Sequence, residues 1–580
     1  MRVILVGINA KYIHSNPAIY SLAAYAKAHL GEKEKQECEL VLAEYTINQQ
    51  KEEIIADLYR KKPDFLAFSC YIWNWSLVQE IFVTLHKLYP KLPIWLGGPE
   101  VSYTPKKILE EYPFLAGIMI GEGEVTFTKL CSCMLSQGDL STLAGVVTTD
   151  GEGKQRPLTP LDEIPFFYED MENFAHRIVY YESSRGCPYR CSYCLSSIDK
   201  AFRLRKPELV KKELQFFLDH KVPQVKFIDR TFNANRKHAM AIWQYLKEND
   251  NNVTNFHFEV AADSLSKEEL ELLSSLRPGL VQLEIGVQST NTVTLLEINR
   301  PMKTEAVRRA VEALQKNHNV HLHLDLIAGL PGEDYESFKV SFNQVYAMKP
   351  HQLQLGFLKV LKGSPLWEKA DEYGIVYQDK PPYEVLFTRW LTYEELLKLK
   401  EIEEVLEIYY NSGQFAYTVA MLEQEFASFF TFYEELASFM SKKKSPGSSP
   451  ARSYRYQLLL NFIRKKVPHK EEMFVELLTF DLYLREKMKT RPEFCGSLEN
   501  IREESRQLYR KEEEQRSLLP EYMGYNSRQL AKMTHLEPFI WSVWEKGGCC
   551  PMEEKALVLF DYQKRDPLTA DARVQIIREW

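Results

Sequence analysis

No apolar run in this 580-residue chain approaches the roughly 20 residues that a membrane-spanning helix needs. The first strand-like run, Arg2 to Ile8, is too short for a signal peptide and lacks the cleavage-site pattern. Positive charge is not in excess. The net charge of −7 argues against a protein built mainly to grip nucleic-acid phosphates. Cysteine is scarce, with ten residues unevenly spread, so no disulfide framework is expected and a reducing cytoplasm is the simplest setting. Long polar tracts are also missing, and 45% hydrophobic residues suit a globular chain long enough for two to four domains.

What is present is strand–helix alternation, which gives an α/β class. Over residues 1–150, Val3–Ile8, Leu40–Tyr45, Phe65–Ser69, Ile94–Leu96 and Gly117–Ile120 read as strands separated by amphipathic stretches, a doubly wound parallel sheet. A connector with Pro157, Pro160 and Pro165 covers 151–177. Alternation restarts over 178–382, with strands at Val179–Glu182, Val225–Ile228, Phe256–Val260, Val281–Gly286, His323–Ile327 and Leu353–Leu358. Each gap admits a crossover helix, so a partial or full (β/α) barrel is predicted. From 383 to 580 the strand signal fades, and segments such as Tyr454–Lys466 and Glu471–Lys489 have helical periodicity. The aromatic stripe Phe429, Phe430, Phe432, Tyr433 reads as helix core, and Ser441–Arg452 as a surface loop.

Cys187, Cys191 and Cys194 have a C-x3-C-x2-C spacing directly after the strand Val179–Glu182, at the edge where βα proteins do their chemistry. Three thiolates on one loop can hold three irons of a 4Fe-4S cluster and leave the fourth open. A structural zinc site would need a fourth Cys or His, and the nearest downstream candidate, His220, lies far along the next helix. Cys495 with Cys549-Cys550 makes a poor auxiliary cluster, since adjacent cysteines are poor joint ligands. Cys131 and Cys133 read as structural residues on a helix.

The loop, with Tyr193 just before its third cysteine, resembles the signature of the radical S-adenosylmethionine (SAM) superfamily. The resemblance implies that Cys187, Cys191 and Cys194 hold a 4Fe-4S cluster whose open iron is chelated by SAM. It also implies SAM contacts from Tyr193, Asp229, Glu259, Gln288, Ser289 and Gly329, each at its own strand end or loop. Asp229-Arg230 stands where many relatives carry two acidic residues. Upstream, Leu96-Gly97-Gly98-Pro99-Glu100 and Gly121-Glu122-Gly123-Glu124 resemble the cobalamin-binding domain that precedes many such barrels. Gly97, Gly98, Gly121 and Gly123 would let backbone approach a corrin ring. Neither segment fits a G-x-G-x-x-G or phosphate-loop pattern. The Asp-x-His-x-x-Gly motif that supplies a cobalt ligand in some cobalamin proteins is absent; His14 lies in the loop after the first strand and His86 on a helix. The helical region resembles an uncharacterised domain appended to some members of this class.

The expected protein is thus a cobalamin-dependent radical SAM enzyme modifying an unactivated carbon of an unknown substrate, by methylation or other radical chemistry. A reductant such as flavodoxin or ferredoxin is the expected partner. One alternative keeps the radical chemistry without cobalamin and gives the first domain to substrate or partner binding, as in a methylthiotransferase. Another is a non-enzymatic iron–sulfur redox protein.

Overall fold

The computed structural model describes residues 1–198, 201–443 and 452–578, so most of the loop expected over Ser441–Arg452 lies outside the described residues. The chain gathers into two compact units. The first comprises residues 1–320, 327–334 and 356–392; the second comprises 321–326, 335–355 and 393–580.

The first unit begins with β1 (Arg2–Asn9), β2 (Glu39–Thr46), β3 (Phe65–Ser69), β4 (Ile94–Gly97), β5 (Gly117–Met119) and β6 (Val146–Val147). They form one sheet in the order β2-β1-β3-β4-β5-β6. All neighbours are parallel except β5 and β6, an antiparallel edge pair that the sequence reading does not contain. Strand β1 is apolar on both faces because both are covered by helices. Ile4, Val6 and Ile8 pack with Ile54, Leu58, Val78 and Phe82, whereas Val3 and Leu5 pack with Ile19, Ala23, Phe127 and Leu130. Because β2 and β3 lie on opposite sides of β1, the strand order reverses there. That reversal opens a ligand crevice at the carboxyl ends of the strands.

The connector is not slack. Tyr168 is fully buried against Phe166, Phe174 and Phe217. Its hydroxyl donates to the carbonyl of Tyr180 and accepts the Tyr180 N–H at 3.1 Å, so a side chain covers the outer edge of the next strand.

That strand is β7 (Val179–Tyr181), followed by the short β8 (Ser184–Arg185) and β9 (Arg203–Leu204), then β10 (Gln224–Phe227), β11 (Asn255–Glu259) and β12 (Val281–Gln288). Strands β7, β10, β11 and β12 are parallel neighbours in that order, which places Tyr180, Lys226, His257 and Gln282 in one transverse layer. The alternation continues through β13 (Val320–Ala328) and β14 (Gln352–Phe357). Past their carboxyl ends, the Leu358 N–H bonds the Ala328 carbonyl at 2.9 Å. A hairpin of β15 (Val376–Tyr377) and β16 (Val385–Phe387) follows.

Glu100, only 6% exposed, ties the first sheet to this hairpin region. It accepts the Lys362 ammonium at 3.0 Å and the Tyr383 hydroxyl. Removing one member of a buried pair leaves the other charge uncompensated. Glu100→Ala is therefore expected to lower stability by about 3 kcal/mol, read as a shift of the urea midpoint at unchanged slope.

In the second unit the helices Tyr393–Leu406, Ala416–Leu422, Phe429–Ser441, Arg452–Lys466 and Glu471–Arg485 match the helical reading. Phe430, Phe432 and Tyr433 are core residues, as expected, whereas Phe429 is half-buried. Buried Asp481 receives the Tyr417 and Thr418 N–H groups at 3.0 and 2.8 Å, capping the helix Ala416–Leu422. The unit also holds an antiparallel sheet in the order β17-β18-β19, built from β17 (Thr534–Trp541), β18 (Pro551–Arg565) and β19 (Ala572–Ile577). The helical reading lacks this sheet. Its edge strand β17 carries Pro538 and buries a charge, Glu537, which Arg491 grips at 2.6 and 2.7 Å, so no clean alternation shows.

Candidate active site

Within the first unit, a cavity of about 1420 Å³ opens at the carboxyl edge of the first sheet. Gly97, Gly98, Gly121 and Gly123 line it on the first-sheet side, and Tyr180, Glu182, Arg185 and Ile228 line it from β7, β8 and the end of β10. Tyr71, after β3, also lines it, with its ring stacked on Trp73 at 4.3 Å. None of His14, His29 and His86 is among the residues lining this cavity. His14 Nδ1 lies 2.6 Å from the Tyr180 hydroxyl, and burial lowers its pKa; His86 stacks on Phe114.

Strands β8 and β9 form an antiparallel ribbon, Ser184 opposite Leu204 and Arg185 opposite Arg203. All three candidate cluster cysteines lie on the segment between them. The segment is pinned where the Ser192 N–H meets the Ile298 carbonyl at 2.9 Å and the Leu366 N–H meets the Ser192 carbonyl at 2.8 Å. Cys187 Sγ lies 3.4 Å from Thr231 Oγ1, and burial pushes its thiol up. Arg300 donates to Cys191 Sγ at 3.6 Å and to the Gly286 carbonyl. Among the described residues, no three Cys, His, Asp or Glu side chains gather closely enough to hold one metal ion. A cubane takes each thiolate on a different iron, so its ligands stand farther apart than those of a single ion.

Three polar atoms here, Ser192 Oγ, Gln288 Oε1 and Arg300 Nε, are buried without a partner. Each such atom costs about 1–3 kcal/mol unless a ligand satisfies it. Gln288 also sits at φ +70, in the left-handed region that a non-glycine residue avoids unless its surroundings impose it. Three thiols, an arginine on one of them and unsatisfied polar atoms beside them fit a 4Fe-4S cluster carrying the amino and carboxylate groups of SAM. The glycine-lined cavity fits a large flat ligand.

Two of the expected SAM contacts are engaged by the protein itself. Asp229 is wholly buried and accepts hydrogen bonds from Ser183 N–H (3.0 Å), Ser183 Oγ (2.7 Å) and Ser184 Oγ (2.5 Å), so its carboxylate is spent on the strand that leads into the cysteine loop. His238 extends this network, with Nε2 3.0 Å from Ser183 Oγ. Ser289 is likewise fully buried; its hydroxyl donates to Glu333 at 2.6 Å and accepts the Asn291 N–H at 3.0 Å. Both residues are fully buried and shape the loops. Gly329 is fixed by packing, since a Cβ there would lie 2.9 Å from Val385. Glu259 ends β11 opposite Glu284, and Tyr193 is half-buried within the loop, its phenol raised by burial.

Burial raises the Asp229 pKa to about 6 against its serine donors. The folded protein therefore holds this proton longer than the unfolded chain does. The associated stability is complete below the ordinary value of 3.8 and is lost as pH rises through about 6. Between about pH 4.5 and 7.5, cluster-free wild-type protein is expected to lose roughly 2 kcal/mol relative to Asp229→Asn, measured by urea unfolding at each pH.

The sequence reading missed Arg300, Thr231 and the arginine pair of the ribbon. Arg300 belongs to no motif, and only the fold brings it 109 residues back to Cys191.

Residues 181–345 match the radical SAM superfamily and residues 3–131 match the B12 binding domain, so the chain is a B12-binding-domain radical SAM protein. Residues 371–560 match a protein family of unknown function, DUF4080. Among curated relatives, the cobalamin-dependent radical SAM methyltransferase TokK of Streptomyces tokunonensis is 26% identical over 345 residues, 54% of this chain and 50% of that protein. The 2-(S-pantetheinyl)-carbapenam-3-carboxylate methyltransferase of Streptantibioticus cattleyicolor is 24% identical over 348 residues, again 54% of this chain and 50% of that protein. This chain thus spans about half the length of these relatives. Among solved structures, the cobalamin-dependent radical enzyme OxsB with aqua-cobalamin and SAM bound shares the fold, with a TM-score of 0.56 and 18% identity over 83% of this chain and 78% of that one. No helix among the described residues is long and apolar enough to cross a membrane.

Proposed function

We propose that this chain is a cobalamin-dependent radical SAM enzyme that methylates, or otherwise modifies, an unactivated carbon of its substrate. The observation that carries this reading is a single cavity walled by the glycine turns of the B12-type sheet on one side and by the strand and ribbon leading into the cysteine loop on the other. When bound, the cofactors supply one-electron cleavage of SAM to a 5'-deoxyadenosyl radical and a transferable methyl group. The protein's part is to hold and orient. Cys187, Cys191 and Cys194 bind the cluster, with a positive charge placed on Cys191 by Arg300. Gln288 and Ser192 offer buried polar atoms to SAM, and Glu259 and the backbone at Tyr193 and Gly329 stand at neighbouring loop and strand ends. Gly97, Gly98, Gly121 and Gly123 admit the corrin to the sheet edge. A one-electron donor of the flavodoxin or ferredoxin type is required as partner.

The test is anaerobic reconstitution with iron, sulfide and hydroxocobalamin, followed by dithionite and SAM. Retained corrinoid together with 5'-deoxyadenosine supports the reading. Cluster assembly and SAM cleavage with no corrinoid retained would remove cobalamin from it. No SAM cleavage at all would reduce the protein to a redox or structural role.

A further inference from the structure

The Gly121–Glu124 turn does more than line the cavity. Gly121 faces open space, whereas Gly123 packs against Leu22, and the two glutamates, which also line the cavity, hold the base of the cysteine loop. Glu122 accepts Arg203 and the Thr159 N–H (2.9 Å), and lies 3.4 Å from Arg185. Glu124, 5% exposed, accepts Arg185 at 2.8 Å and Ser21 Oγ at 3.1 Å. Arg185 and Arg203 are direct partners across the ribbon from which the cysteine segment springs. Arg185 also holds Glu182, at the end of β7, at 2.7 and 2.9 Å. Burial works against the carboxylates of Glu122 and Glu124, and the arginines outweigh it, holding both below the usual range.

The ribbon has little slack. Gly186, at φ +91, sits so close to the opposite side of the segment that a Cβ would fall 2.3 Å from the Ala201 carbonyl oxygen. A displacement of Arg185 is therefore passed to Cys187 two residues on, because the backbone between them is pressed against its own return path. One short turn thus both lines the cavity and holds the loop.

We propose that the Gly121–Glu124 turn, through Glu122 and Glu124 on Arg203 and Arg185, couples occupancy of the corrin cavity to the geometry of the cluster loop. The proposal rests on the cofactor assignment made above and adds to it a communication between the two sites. These four side chains are positioning residues that act through the loop they hold. Coupling of this kind is reciprocal: if hydroxocobalamin reshapes the cluster site, cluster loading must change the affinity for hydroxocobalamin by the same factor.

The experiment titrates hydroxocobalamin by absorbance into cluster-loaded and cluster-free full-length protein, and records the EPR spectrum of the reduced cluster with SAM, with and without hydroxocobalamin. The wild type is expected to bind hydroxocobalamin about fivefold or more tightly when cluster-loaded, and its cluster signal should shift when hydroxocobalamin is added. In E122Q/E124Q, and independently in R203Q, the affinity ratio should fall to near one and the spectral shift should vanish, while both cofactors still bind. Glu122→Asp should restore part of the ratio, which a loss of fold could not do. Cobalamin binding with an equal ratio in wild type and variants overturns the coupling and leaves the functional reading intact. Failure of the wild type to bind hydroxocobalamin overturns the functional reading and the coupling with it. If the double variant does not fold, R203Q alone decides, since it cuts the clamp from the ribbon side.

Discussion

Cys191→Ala is expected to abolish SAM cleavage, with 5'-deoxyadenosine formation falling at least about 10³-fold, or roughly 4 kcal/mol of lost catalysis. Cys191 is 5% exposed and precedes Ser192, which is bonded on both its N–H and its carbonyl side. Iron and sulfide per chain should fall together with the activity, while the far-UV circular dichroism should match that of the wild type because the loop is not the source of the fold's stability. Arg300→Gln should have a different signature. All three thiolates remain, so the cluster should assemble, but without the arginine's charge on Cys191 its midpoint potential should move downward. A Cys191→Ala protein that still forms 5'-deoxyadenosine would sink the assignment of the cluster to this loop.

The second large effect is expected at Gly121. Its φ is +73 and a Cβ built there meets nothing within 4 Å, so a larger side chain would project into the cavity and meet no protein atom at its root. In Gly121→Leu the left-handed backbone costs about 1–2 kcal/mol. That is small against the loss of the space a corrin needs. Corrinoid retained per chain is expected to fall at least tenfold, as read by absorbance after desalting, with iron per chain unchanged. Gly121→Asn separates backbone strain from occlusion, because asparagine tolerates the left-handed region. Its retention should lie between those of the wild type and the leucine variant. Full retention in Gly121→Leu would move the cobalamin assignment away from this edge.

Both effects fall at positions the sequence made visible, and the reason is physical. A C-x3-C-x2-C loop after a strand and glycines after strands are local patterns, because their chemistry needs neighbours in sequence. The strands of the two βα regions were legible for the same reason: β1 and β3 are short apolar runs with helices on both faces. What was not legible depends on contacts distant in sequence. Asp229 reads as an acidic strand end, and only the fold shows its oxygens taken by Ser183 and Ser184, 45 or 46 residues earlier. Ser289 is likewise committed to Glu333, 44 residues later. The sheet β17-β18-β19 escaped because its core-facing positions include Glu537 and Asp561, charges whose burial is made tolerable by Arg491 and the Tyr522 hydroxyl.

The connector between the two βα regions carries a last consequence. Tyr168 fills a hydrophobic core with its ring and completes the edge of β7 with its hydroxyl. A segment with those two duties cannot be lengthened, exchanged or cut as a passive tether could be. In the laboratory, a B12-type domain expressed without residues 151–181 would be a different object from the one folded here, and so would a barrel expressed without them.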